Sequence, residues 1–163
     1  MPQTKYLIPM VVIVYWAVIA MCLSRFYLGV NPSSVSCLKV YVLLVDKLDQ
    51  DVSRGDLAAF EFKQDLRHLH VGDRIGKLVA AIPGDKVEFD ENSLYVNGKP
   101  FNRVMSMTPM LKHFNQDITA YQTAYTLGPD EYFMVGETFE SFDSRYWGPI
   151  KKSQLVGQAY AVY

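Results

Sequence analysis

The sequence is short of cysteine, of net charge and of helical periodicity, and each shortage closes off a class of protein. Two cysteines among 163 residues cannot build a disulfide framework. Cys22 falls inside an apolar run and Cys37 beyond it, so both read as free thiols. A net charge of −1 supplies no basic surface for nucleic acid, and no nucleic-acid partner is expected. Internal repeats and low-complexity segments are missing. Beyond the first apolar run no long helical pattern occurs, which excludes a helical bundle.

What is present begins with that run. Tyr6 to Leu23 carries no charged residue. Roughly eighteen residues at about 1.5 Å rise come close to the hydrocarbon thickness of a bilayer. A cleavable leader would have a shorter apolar region followed by a small-x-small site, and Ala20-Met21-Cys22 fits that poorly. Bulky Met21 also argues against a lipid-modified Cys22. The expectation is an uncleaved membrane anchor over residues 1–25 and a folded domain over 26–163. Lys5 lies on one side of the run and Arg25 on the other, so charge leaves the orientation open.

The domain reads as short strands between turns. Val40 to Val45 is β-branched and aromatic, and Leu57 to Phe62 follows the turn "SRGD". Val87 to Phe89 and Leu94 to Val96 flank "DENS", and "NGK" follows them. Tyr132 to Val135 and Gln158 to Tyr163 complete the set. The fold expected is mainly β, a folded-over sheet or small barrel. Phe101 to Thr126, with Met105, Met107 and Met110, reads as a strand pair with a mobile connection. The alternative is that its methionines line a groove or touch lipid.

Three stretches carry reactive side chains. In "NPSSVSCLKVY", Ser34 and Ser36 are two apart, so on extended chain they share a face. Ser36 could attack a carbonyl while the Ser34 hydroxyl and the Ser36 amide donate to the oxyanion; serines in a polar linker would look the same. A serine needs a base. His68 and His70 alternate as on one strand face, His113 stands apart, and none has a convincing partner. As a metal pair, His68 and His70 lack further ligands at suitable spacing. Lys77 in "RIGKLVAAIPGD" is followed by apolar residues from Leu78 to Ile82. On a strand it would share a face with Val79 and Ala81. Buried there, its ammonium form would be disfavoured, leaving an amine able to take a proton; at a strand end it would reach to water instead. In "GETFESFDSRYWGPI", Asp143 and Arg145 could pair side by side on a strand, and Ser141 could hold the Lys77 amine.

Together these stretches resemble the type I signal peptidases, membrane-anchored serine–lysine peptidases. After the anchor, "PSSVSCL" is similar to the family's serine box, with Ser36 at the nucleophile and Ser34 at the oxyanion serine. "RGDLAAFEF" resembles the next strand box. "GKLVAAIPGDKVEF" resembles the lysine box, where the general base matches Lys77. "LYVNGKPF" matches a recurrent hairpin. "EYFMVGETFESFDSRYWGPI" resembles the last box, with Ser141 at the lysine-orienting serine and Asp143 and Arg145 at the salt-bridged pair; "LVGQAYAVY" looks like the closing strand. The compact body and the wording "SCL" look like the conjugative-transfer, TraF-type branch. Lys39 stands where the family commonly has proline, Glu137-Thr138 where Asp-Asn is frequent, and Phe142 separates Ser141 from Asp143.

The resemblance implies a signal-peptidase-like β domain, a serine endopeptidase that needs no metal or cofactor. Its substrate would be a membrane-bound precursor, a pilin or another exported protein, cut at the surface of the bacterial inner membrane on the periplasmic side. Some members of that branch also join the pilin ends into a circle. Two other readings stand beside it: a catalytically silent assembly module, and a general housekeeping signal peptidase.

Overall fold

Helix α1 (Thr4–Arg25) is built from the apolar run. Over Tyr6–Arg25 its mean hydropathy is 2.4 and none of its residues is buried. It is long and apolar enough to cross a membrane. The computed structural model describes residues 4–30, 37–66 and 69–162; Ser34, Ser36 and His68 lie outside them.

The helix passes directly into strand β1 (Phe26–Val30), and β2 (Val42–Asp46), β3 (Leu57–Glu61) and β4 (Arg74–Ala81) follow. Next come β5 (Lys86–Phe89), β6 (Leu94–Val96) and β7 (Lys99–Pro100), then helix α2 (Thr108–Phe114). β8 (Ala124–Thr126), β9 (Glu131–Val135), the short helix α3 (Ser144–Trp147), β10 (Ile150–Lys151) and β11 (Leu155–Val162) complete the order. The strands form two sheets, one ordered β1-β2-β11-β3-β4-β9-β10 and the other β7-β6-β5-β8. All named pairings are antiparallel.

The large sheet is covered on both faces, which explains the consecutive apolar residues of β3 and β4. Leu78, Ala80 and Ala81 pack with Val87, Leu94 and Phe133 between the sheets. Val79, Ala58 and Phe60 pack on the opposite face with Met134. A bulge between Val79 and Ala81 moves Ala81 to the Leu78 face. Lys77 and Val79 therefore share a face as expected, and Ala81 does not join them. The "NG" turn predicted after β6 is present: Asn97 and Gly98 both have positive φ, 52° and 74°, the pairing that a tight hairpin favours.

The expected strands appear with shifted ends, and β11 begins earlier, at Leu155. Three features differ in kind. β1 is an added edge strand, paired over its length with β2. The stretch 101–126 is not a strand pair with a mobile connection: it holds α2, a 3₁₀ turn at Ile118–Ala120 and only the short β8, and Met107 and Leu111 are buried in the core between the sheets. His70 is not on a strand. It sits in an exposed turn with Nδ1 3.5 Å from Asp65 Oδ1.

Candidate active site

The site grows from the middle of the large sheet. Lys77 faces Ala58 of β3 across the ladder and is 1% exposed. A lysine so enclosed needs a polar partner. Its Nζ donates to Ser141 Oγ at 2.9 Å, and Ser141 Oγ in turn donates to Asp143 Oδ2 at 2.8 Å. One hydroxyl thus lies between an amine and a carboxylate.

Asp143 is fully buried and takes up its hydrogen-bonding capacity locally. It accepts from the Gly136 amide at 3.0 Å, from Arg145 Nε at 2.9 Å and from Arg145 Nη2 at 2.8 Å. Burial pushes its carboxyl up. The Arg145 guanidinium, the Lys77 charge and the Gly136 amide outweigh that and hold it below the usual carboxylate range. Asp143 and Arg145 do not lie side by side on a strand. Asp143 is the N-cap of α3, accepting from the Arg145 amide, and Arg145 lies in that helix's first turn. The remaining guanidinium nitrogen donates to the Met105 carbonyl at 2.7 Å.

Two turns fix this chain of contacts. Asp85, of the Pro-Gly-Asp turn after β4, accepts from Arg54 Nε at 2.6 Å and from Asn97 Nδ2 at 2.8 Å, which ties the end of the lysine strand to the hairpin. Gly136, after β9, permits a close approach. A Cβ there would stand 2.1 Å from Ser141 Oγ and 2.6 Å from the Cys37 carbonyl oxygen. The next amide, Glu137 N–H, donates to that same Cys37 carbonyl at 2.8 Å.

Of the residues predicted from sequence, Lys77, Ser141, Asp143 and Arg145 are brought into one buried network. Ser34 and Ser36 lie outside the described residues, but Cys37, which follows Ser36 in the chain, is held beside Ser141. Lys39, the position that departs from proline, is exposed. An open cavity of about 290 Å³, lined among others by Cys37, Leu38, Leu43, Arg74 and Gly76, adjoins the same strand. Sequence reasoning gave Gly136, Glu137 and Met105 no part in this network. The first could have been suspected from a glycine directly after a buried strand; Glu137 acts through its amide and its carboxylate and Met105 through its carbonyl, and neither leaves a pattern.

The family described as "Signal peptidase, peptidase S26" matches residues 3–163. The chain is 28% identical over 127 residues to a protein of Synechocystis named probable signal peptidase I-2, covering 72% of this chain and 52% of that one. It is 33% identical over 88 residues to signal peptidase I V of Bacillus subtilis, covering 50% and 52% respectively. It is 32% identical over 142 residues to signal peptidase IB of Staphylococcus aureus, covering 80% and 70%. The chain spans about half the length of the first two relatives.

Proposed function

The chain belongs to the signal peptidase family, peptidase S26, and on that premise we propose that it is a membrane-anchored serine endopeptidase that removes leader peptides from exported proteins. Residues 1–25 form the anchor and 26–163 the catalytic domain. Ser36 is the nucleophile, Lys77 the general base, and Ser34 with backbone amides the oxyanion site. Ser141 orients the Lys77 amine; Asp143 and Arg145 hold Ser141.

The reaction follows from these roles. The Lys77 amine takes the Ser36 proton as the hydroxyl oxygen attacks the scissile carbonyl, and the developing oxyanion accepts from Ser34 and an amide. Protonated Lys77 then gives its proton to the leaving amine, leaving an acyl group on Ser36. Water, with Lys77 again as base, hydrolyses that ester. The observation that carries the reading is the buried Lys77–Ser141–Asp143 chain with Cys37, the residue next to Ser36, bonded to the loop that supplies Ser141. An enclosed amine whose partner is itself held by a buried carboxylate suits a base better than a surface charge.

A docking edge is also available. Of β4, Leu78 to Ala81 pair with β9. Among the described residues, Arg74 to Lys77 have no strand partner on that side, although β3 pairs with them on the other. An extended precursor segment laid there would bring its peptide bonds past Lys77.

The serine-box wording "SCL" and the compact body support a narrower reading within the family: maturation of conjugative pilin or type IV secretion subunits, with the catalytic domain on the periplasmic side of the inner membrane. A pilin's own amino terminus could then replace water at the acyl-enzyme and close a circle. A housekeeping role would differ in substrate range. A silent assembly module would have no use for a buried lysine held by Ser141.

The test is processing of a co-expressed precursor. Ser36→Ala and Lys77→Ala should each abolish cleavage while the protein stays in the membrane, and full activity in either variant sinks the assignment. The mass of the product then decides the finer reading, because a cyclic pilin is one water lighter than the linear form.

A further inference from the structure

The segment 103–107 lies in the stretch that the sequence leaves hardest to read, and it grips the catalytic loop at several points. The Met105 carbonyl accepts from Arg145, as described above, and the Met107 carbonyl accepts from the Tyr146 hydroxyl at 3.4 Å. At the other end, Arg103 Nε and Nη2 donate to Glu137 Oε1 at 3.0 and 2.7 Å. Arg103 Nη1 donates to the Gly55 carbonyl at 3.2 Å.

Both Arg103 partners lead to the reacting groups. The Glu137 amide holds the Cys37 carbonyl, and Cys37 follows Ser36. The Gly55 turn is bonded to the lysine strand in both directions: the Gly55 amide donates to the Val79 carbonyl and the Val79 amide to the Asp56 carbonyl, each at 2.8 Å. Val79 is two residues from Lys77. One guanidinium therefore spans from the strand of the base to the residue that holds the end of the nucleophile segment.

We propose that Arg103 is a positioning residue for the acyl-transfer reaction. It fixes the spacing between the Lys77 strand and Cys37, the residue after the proposed nucleophile, through Gly55 on one side and Glu137 on the other. The proposal rests on the peptidase reading above. Two magnitudes separate positioning from mere stabilisation. The Arg103 side chain is 48% exposed and that of Glu137 12%, and an ion pair with one member so wet contributes little to folding. Misplacing a reacting atom by about 1 Å, in contrast, can cost up to about a hundredfold in rate.

The experiment compares the full-length wild type, Arg103→Ala, Glu137→Gln and the double variant in detergent, on a leader-bearing precursor, with melting temperatures recorded alongside. Arg103→Ala should lower kcat about tenfold, with KM within about twofold and the melting temperature unchanged. The double variant should lose no more than Arg103→Ala alone, because both substitutions cut one tie. An unchanged kcat, a kcat loss matched by a fall in melting temperature, or additive losses in the double variant would each overturn the proposal. If wild type neither cleaves the precursor nor takes up a serine-directed acylating inhibitor, the peptidase reading fails and this proposal with it. An active wild type with an equally active Arg103→Ala removes only the proposal.

Discussion

At the scale of single residues, the site is a relay in which each group is held by the next. Lys77 is placed by Ser141, Ser141 by Asp143, and Asp143 by Arg145 and the Gly136 amide. The carboxylate is the anchor of this relay, and its ionisation is tied to folding. Its acidity in the folded chain is stronger than in the unfolded one. The stabilisation it gives is therefore complete above the ordinary carboxylate range of about 4 and is lost as pH falls through its lower folded value. Asp143→Asn should leave the Arg145 guanidinium buried without a charged partner and cost about 3–5 kcal/mol at neutral pH. The same variant should lose less stability than wild type between pH 5 and pH 2, in line with linkage over about that range. Urea melts at several pH values check this, and equal slopes for the two proteins would refute it. Asp46, Asp85 and Glu131 are also more acidic than usual, so the difference between the curves, not the wild-type slope, is the quantity to read. The four side chains of this relay were legible in the sequence because their types and order are specific. The contributions of Gly136, Glu137 and Met105 were not, because a close approach that only glycine allows, an amide with its carboxylate and a carbonyl depend on which distant residues the fold brings beside them.

At the scale of elements, short β-branched and apolar runs between turn signals made most of the large sheet readable, and the misreadings cluster where those boundaries are masked. β1 escaped notice because it follows α1 with no break, so its apolar residues merge with the anchor's. α2 is seven residues long, too short to display a helical period. It starts with a proline at its first turn and ends at Asn115 in the left-handed region, φ 52°, and both are usual terminal signals. The "FDSRYW" stretch carried a similar clue. Aspartate ahead of Ser144 suits an N-cap, and the observed cap on α3 replaces the expected strand. That α2 is packed and not a mobile connection has a consequence for stability. Leu111 is 4% exposed and lies in the core with Leu78, Phe133 and Val135. Leu111→Ala should destabilise the domain by about 2–5 kcal/mol, measured by urea unfolding. A loss below 1 kcal/mol, well under that range, would mean the segment is not part of the folded core.

At the scale of the whole molecule, the apolar helix α1 and the β domain are joined without a hinge. The Arg25 guanidinium, at the end of α1, binds the Asp46 carboxylate through Nε at 3.0 Å and through Nη2. The Lys47 amide donates to the Arg25 carbonyl at 2.9 Å. β1 then pairs from Phe26 with Asp46 to Val30 with Val42, so the direction of the helix is set by the sheet. Leu28 and Val30 of β1 are exposed, and they lie in rows with Tyr160 and Val162 of β11 across Leu44 and Val42. The sheet's edge beside the membrane end is therefore apolar. If the substrate is itself held in the bilayer, this rigid joint limits the heights and angles at which Lys77 can meet it. Inserting six Gly/Ser residues between Arg25 and Phe26 should release that limit, because such a linker is a flexible coil. In full-length protein reconstituted in vesicles, cleavage of a soluble leader peptide should stay within about twofold of wild type. Cleavage of a membrane-inserted precursor should fall about tenfold, the scale of lost orientation. Parallel rates on the two substrates would show that the joint plays no part in presentation and that the anchor serves only to keep the enzyme near the bilayer.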